Sequence, residues 1–145
     1  MRRLLIAACL LLAAANCGGR EVQPPAFTAQ EGLEVALAEG APVISVALGH
    51  PGGMTELAHR AGALMVAMVS CVDEAVSVAD GGVDLIVAQG AEAGGHRSTF
   101  GIGPDDDVPM IGTLALVPQV VDAVSLPVIA AGGIMDGRGI AAALA

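Results

Sequence analysis

Three short apolar segments at a regular step constrain the fold of this chain more than any other feature. VISVAL begins at residue 43, ALMVAMV at residue 63 and VDLIVA at residue 83, so the starts lie about 20 residues apart. Each segment is continuous and aliphatic, which is typical of strands covered on both faces in a parallel sheet. PVIAA, from residue 127, is a fourth such segment. The pattern indicates repeated strand–helix units, in either a barrel or an open doubly wound sheet.

Helices are predicted between and around these strands. Thr28 and Glu31 have the spacing of a capping box, which predicts a helix through Ala38. Further helices are predicted over 54–61, from a cap at Ser70 to the glycines at 81–82, from about Pro118 to Val124, and from about Gly137 to the last residue.

Composition and charge exclude several classes of function. The chain is 54% hydrophobic, which is too apolar for a disordered protein, and its net charge is −9. All basic residues are scattered arginines, so no nucleic-acid-binding surface is expected. Three cysteines (Cys9, Cys17 and Cys71) lack metal-type spacing. We therefore predict no metal site and free thiols in a reducing compartment, the cytoplasm.

Residues 1–27 stand apart from the regular pattern. Arg2 and Arg3 precede an apolar run from Leu4 to Ala15, followed by Asn16, Cys17 and two glycines. This is the layout of a signal peptide, in which case the protein would be exported or anchored to a membrane by a lipid on Cys17. The alternative, which we favour, is a displaced core element of the fold. Residues 28–145 are predicted to form one partial domain, without a membrane span.

The first glycine-rich motif follows the third strand. It reads QGAEAGGHR from Gln89 to Arg97, and ligands of parallel α/β folds bind at the carboxyl ends of strands. Glycines here let the backbone approach a ligand closely. His96 can exchange a proton near neutral pH, so we interpret it as a candidate general base rather than a solvated histidine.

The second glycine-rich motif follows the fourth strand. Gly132 and Gly133 end the strand, and a helix begins a few residues later. This arrangement directs backbone N–H groups and the positive end of a helix at an anion, typically a phosphate. The glycine spacing is not that of a dinucleotide fingerprint.

Together, VDLIVAQGAEAGGHR and GTLALVPQVVDAVSLPVIAAGGIMDGRGIAAALA resemble the nitronate monooxygenase family, formerly called 2-nitropropane dioxygenases. The resemblance extends from about residue 34 to the end of the chain. It implies an FMN-dependent (β/α)8 TIM barrel that oxidises alkyl nitronates or nitroalkanes with O2. The four strands would be the fourth to seventh of eight, so a partial barrel is expected.

The resemblance also implies roles for particular residues. His96 matches the histidine that acts as base toward the nitroalkane or nitronate. Gln89 and Gly94, with Gly95 beside it, match positions that contact the flavin. The phosphate-binding turn is matched by Gly132 and Gly133.

The chain departs from the family pattern at several points, two of which matter most for the structure. Ser98 stands where the family usually has glycine, and the early strands and the eighth strand have no counterpart. Two other interpretations stay open: an FMN-dependent enoyl-acyl-carrier-protein reductase, whose barrel has a similar glycine-histidine loop, and an inactive fragment or exported lipoprotein. The physiological substrate and the oligomeric state are not predicted. We interpret His50 as a turn residue, His59 as solvated and the aspartates at 105–107 as facing water. Glu92 is also interpreted as a surface residue without a role in the site, and the alternative is that it orients a neighbouring loop or touches substrate.

Overall fold

The computed structural model describes residues 28–100, 107–108 and 110–145. Strands and helices alternate through this part of the chain. In chain order the elements are α1 (Ala29–Ala38), β1 (Val43–Val46), α2 (Met54–Arg60), β2 (Leu64–Val69), α3 (Val72–Asp80), β3 (Leu85–Gln89), α4 (Thr113–Ala123), β4 (Val128–Ala131) and α5 (Gly137–Leu144).

The four strands form one parallel sheet in the order β1-β2-β3-β4. Sequential parallel strands with right-handed crossovers place every connecting helix on the same face of the sheet. A doubly wound sheet would instead reverse its strand order to cover both faces. The sheet is therefore part of a (β/α)8 barrel, as the resemblance implied.

The core lies between the sheet and the connecting helices. Met65, Ala67 and Ile86 point to this side and are fully buried, against α3 and α4. Alternate residues point to the other face, where Leu64 and Ile129 are each 46% exposed. That second face is only partly covered within the described residues, since Val66 on it is buried, although the aliphatic strands predicted full cover on both faces.

Helix α1 has the predicted capping box. The Thr28 hydroxyl accepts a hydrogen bond from the Glu31 N–H, and the Glu31 carboxylate accepts one from the Thr28 N–H at 2.6 Å. The predicted cap of α3 was wrong. Cys71 is the N-cap and makes no side-chain cap bond, while the Ser70 hydroxyl donates to the buried Glu74 carboxylate at 3.0 Å. The same carboxylate accepts from the Phe100 N–H, so it ties the end of β2 to the loop after β3.

Helix α4 begins at Thr113, so its predicted start near Pro118 was also wrong. Thr113, Leu116, Val117 and Val120 form a buried stripe with helical spacing along α4. An interior proline costs a helix about 3 kcal/mol. Packing of the stripe outweighs that cost, and Pro118 remains inside the helix.

The predicted N-terminal unit, residues 1–27, lies outside the described residues, and so do Asp105 and Asp106 of the acidic run. Asp107 is exposed. No helix within the described ranges is both long and apolar enough to cross a bilayer. Cytoplasmic location and the alternative of export stay predictions.

Candidate functional site

The two glycine-rich motifs lie side by side at the carboxyl ends of neighbouring strands, β3 and β4. β3 pairs with β4 so that Gln89 is opposite Ala131, the last residue of each strand. The Gly90 N–H then donates to the Ala131 carbonyl at 3.0 Å. The loop that carries His96 and the turn at Gly132 and Gly133 therefore begin from adjacent strand ends.

The base of the first loop is held by the Gln89 side chain, which is buried. Its amide oxygen accepts a hydrogen bond from the Ser98 N–H at 2.8 Å, and its amide nitrogen donates to the His96 carbonyl at 3.4 Å. Both ends of the amide are thus used to close the loop. The structure gives Gln89 a loop-supporting role that the sequence did not suggest.

Ser98, the departure from the family pattern, is fully buried and links the loop to β1. Its hydroxyl accepts a hydrogen bond from the Leu48 N–H at 2.9 Å. Leu48 has a φ of 66°, in the left-handed region that side chains rarely adopt. This conformation also ends β1 at Val46, two residues before the predicted end at Leu48.

The tip of the loop is open. Gly94, Gly95 and His96 are exposed, and a Cβ atom added at either glycine would have no heavy atom within 4 Å. Gly95 has a φ of 75°, which favours glycine for conformational reasons as well. Among the described residues, none hydrogen-bonds the His96 imidazole. The imidazole and the backbone beside it are therefore accessible to a ligand.

The second turn is crowded on one side. Gly132 and Gly133 have φ values of 124° and 67°. A Cβ on Gly132 would lie 2.6 Å from the Thr113 hydroxyl oxygen and 2.8 Å from the Ala93 nitrogen. Neither glycine N–H donates a hydrogen bond to another residue of the described ranges. The turn thus offers backbone donors of the kind that bind anions.

The start of α5 does not behave as the sequence suggested. Asp136 is its N-cap, and the Asp136 carboxylate accepts from the N–H groups of Arg138 and Gly139 at 2.9 and 3.3 Å. The Arg138 guanidinium, and after it these backbone bonds, lower the pKa of Asp136. The expectation that these helix N–H groups face an external anion was wrong, because a carboxylate of the chain already occupies them.

Glu92 and Thr113 connect the two turns, and sequence analysis did not identify Thr113. One Glu92 carboxylate oxygen accepts from the Thr113 N–H at 2.8 Å and from its hydroxyl at 3.0 Å. The hydrogen bond from the Thr113 backbone is the largest cause of a lowered Glu92 pKa. Glu92 is exposed, as predicted for a surface residue, but its carboxylate also bonds the first residue of α4. Reading the helical stripe of α4 back to Thr113 would have placed this threonine at the site.

The other two histidines lie elsewhere. His50 is a turn residue, as predicted: its Nδ1 accepts from the Gly52 N–H at 2.9 Å. His59 is exposed, as predicted, and its Nε2 lies 2.9 Å from the Asp84 carboxylate, at the amino end of β3. Burial acts to raise the pKa of Asp84, but bonds from the Met65 N–H and His59 outweigh it and lower that pKa. No group of three or more metal-ligating side chains occurs in the described part of the chain.

An FMN-like ligand fits this arrangement. Open backbone at Gly94 and Gly95 leaves space for a flat ring system, and the Gly132–Gly133 turn presents amide donors for a phosphate. The fold and this site define the chain as part of a barrel with glycine-rich loops at the carboxyl ends of its strands, where barrel enzymes bind their ligands.

Comparison with known proteins gives the family. A family model described as nitronate monooxygenase matches residues 11–145, and the chain belongs to that family. A probable nitronate monooxygenase of Staphylococcus aureus (strain JH9) is 45% identical over 113 residues, which are 77% of this chain and 32% of that protein. The chain thus spans about a third of the length of the curated relatives it matches.

Two solved structures are similar to the chain in fold and sequence. A nitroalkane oxidase from Streptomyces ansochromogenes aligns with a TM-score of 0.74 and 42% identity, over 79% of this chain and 33% of that one. FabK from Thermotoga maritima aligns with a TM-score of 0.69 and 34% identity, over 80% of this chain and 34% of that one.

Proposed function

We propose that this chain carries the central part of an FMN-dependent oxidoreductase that oxidises alkyl nitronates with O2. The observation that carries the proposal is the placement of the His96 loop beside the Gly132–Gly133 turn, at one edge of the sheet. Membership in the nitronate monooxygenase family and the likeness to a nitroalkane oxidase support the same chemistry.

In this proposal the backbone at Gly94 and Gly95 contacts the flavin ring, and Gly132 and Gly133 bind its phosphate. Gln89 supports the loop from below through its bonds to His96 and Ser98. Bound flavin would supply the redox chemistry, as cofactors do in such enzymes. The protein supplies orientation and proton transfer.

His96 is proposed as the general base. An imidazole that no described group engages can take the α-proton from a neutral nitroalkane and so generate the nitronate form. A substrate offered already as the nitronate carries no such proton. The base should therefore matter for one form of the substrate and much less for the other.

The test measures FMN binding first and turnover second. Quenching of flavin fluorescence reports binding to the purified protein, and O2 uptake is then followed with 2-nitropropane and with its preformed nitronate. We expect His96→Asn to bind FMN as wild type does, and to lose about 100-fold or more in turnover of the neutral nitroalkane but less than about tenfold with the nitronate.

His59→Asn is the matched control, because His59 lies at the opposite edge of the sheet and should leave both rates unchanged. Equal losses of turnover with the neutral nitroalkane and with the nitronate would show that His96 does not take the α-proton. Oxidation of NAD(P)H with an enoyl thioester, without O2 uptake on nitronates, would instead favour the reductase alternative. Failure of the wild-type protein to bind FMN would contradict the proposal.

A further inference from the structure

Glu92 and Thr113 form a bridge that the proposed chemistry does not require. Thr113 is the first residue of α4 and is only 2% exposed. Glu92 lies in the loop after β3. The Glu92 carboxylate accepts from the Thr113 N–H and hydroxyl through a single oxygen, at 2.8 and 3.0 Å. Hydrogen bonds to a charged acceptor are about twice as strong as those between neutral groups.

Thr113 is also the point where the two turns converge. A Cβ atom on Gly90 would lie 2.0 Å from the Thr113 hydroxyl oxygen, and one on Gly132 would lie 2.6 Å from it. The same hydroxyl is 3.3 Å from the carbonyl of Ala131, the residue before Gly132. A hydroxyl has one hydrogen, so Thr113 donates either to the Glu92 carboxylate or to this carbonyl at a given moment.

Glu92 approaches the second turn directly as well. A Cβ on Gly133 would be 3.4 Å from the Glu92 Cβ, which is ordinary contact distance. A Cβ on Gly112, the N-cap of α4, would lie 3.1 Å from the other carboxylate oxygen. The side chain of Glu92 thus packs between the start of α4 and the Gly132–Gly133 turn.

We propose that Glu92 is a positioning residue which, through Thr113, fixes the distance between the His96 loop and the Gly132–Gly133 turn. The inference rests on the proposed function, because that turn is where the phosphate of FMN would bind. Its specific consequence is that losing the bridge weakens recognition of the phosphate more than recognition of the ring.

FMN and riboflavin separate these two effects, since they share the ring and differ in the phosphate. Fluorescence quenching would give the affinity of each for wild type, Glu92→Gln, Thr113→Val and Thr113→Ser. Glu92→Gln keeps the shape and removes the charge, Thr113→Val removes the hydroxyl, and Thr113→Ser is the conservative control that keeps it. We expect about tenfold weaker FMN binding in the first two variants, less than about twofold change for riboflavin, and wild-type values for Thr113→Ser.

A double variant, Glu92→Gln with Thr113→Val, should lose no more FMN affinity than either single variant if the two residues act as one unit. Equal losses for FMN and riboflavin, or wild-type FMN affinity in Glu92→Gln, would overturn the positioning role. If the wild-type protein binds neither flavin, the proposed function fails. The bridge is then judged by amide hydrogen exchange at Gly90 and Ala93, whose N–H groups donate to the Ala131 and Gly90 carbonyls. Exchange is expected to be faster in Glu92→Gln than in wild type, and equal rates would overturn the positioning role.

Discussion

At the base of the candidate site, Gly90 and Gly132 face Thr113 at distances that leave no room for a side chain, whereas Gly94 and Gly95 at the loop tip face open space. In the first region glycine is required because chain segments pack too closely for a side chain. In the second it leaves accessible backbone beside His96. A glycine-rich motif therefore contains two signals: one identifies where chain segments meet, and the other where a ligand could lie.

The largest expected effect is at the base. Gly90→Ala would place a Cβ 2.4 Å from the Thr113 nitrogen and 2.5 Å from its Cα, and backbone atoms cannot rotate away. We expect a loss of about 3 kcal/mol in the free energy of unfolding, as for an overpacked core. Denaturant unfolding measures it. Gly53→Ala, at an N-cap with open space around it, is the control, and a similar small change in both variants would show that the base is not crowded.

Gly95→Ala separates conformation from crowding at the tip. There is space for the methyl group, but the φ of 75° disfavours any side chain. The expected cost is about 1 kcal/mol, measured by the same unfolding experiment. A cost as large as that of Gly90→Ala would mean that the tip and the base do not differ in the way described.

Gly94→Ala is expected to change the unfolding free energy by less than about 0.5 kcal/mol, since it has open space and no positive φ. If the flavin ring packs against this backbone, FMN affinity should nevertheless fall about tenfold. Unfolding curves and fluorescence titrations on one preparation provide both values. Unchanged FMN affinity would show that the open tip is not the ring-binding surface.

The smallest effect concerns acid stability at the base. The pKa of Glu92 in the folded chain is lowered from 4.5, chiefly by the Thr113 backbone bond. A carboxyl group with a depressed folded pKa stabilises the fold above its unfolded pKa, and that contribution is lost as pH falls through the folded value. The unfolding free energy of wild type should therefore exceed that of Glu92→Gln at neutral pH, and the difference should shrink below about pH 4.5. A difference independent of pH would contradict the ionised bridge.

Much of the fold could be predicted because the strands are buried and aliphatic and recur at a fixed step. The ends of the helices and strands were harder to predict than their positions. β1 stops at Val46 because Leu48 adopts a left-handed conformation, and no local pattern around Leu48 signals that. α4 was started too late because Pro118 was interpreted as a boundary, when the apolar stripe from Thr113 had already set the helix.

For the site, the sequence placed both glycine turns at one edge of the sheet, which the strand pairing confirms. It could not show the partner of Glu92, because Thr113 is 21 residues away along the chain. The sequence also predicted that the N–H groups at the start of α5 bind an external anion. The short Asp136 side chain, two residues before Arg138, competes for those amides locally, and nearby groups of the same chain have the entropic advantage. The roles of His96, Gln89, Gly94, Gly95, Gly132 and Gly133 stay predictions.

The capped start of α5 has a consequence for selectivity. An uncovered helix end attracts almost any negatively charged solute, including inorganic phosphate, sulfate and free nucleotides. The Asp136 carboxylate, itself paired with Arg138, already accepts from two N–H groups at the start of α5, so such solutes have fewer free donors there. If the neighbouring Gly132–Gly133 turn binds the FMN phosphate as proposed, selection falls to that turn, where shape as well as charge decides which anion binds.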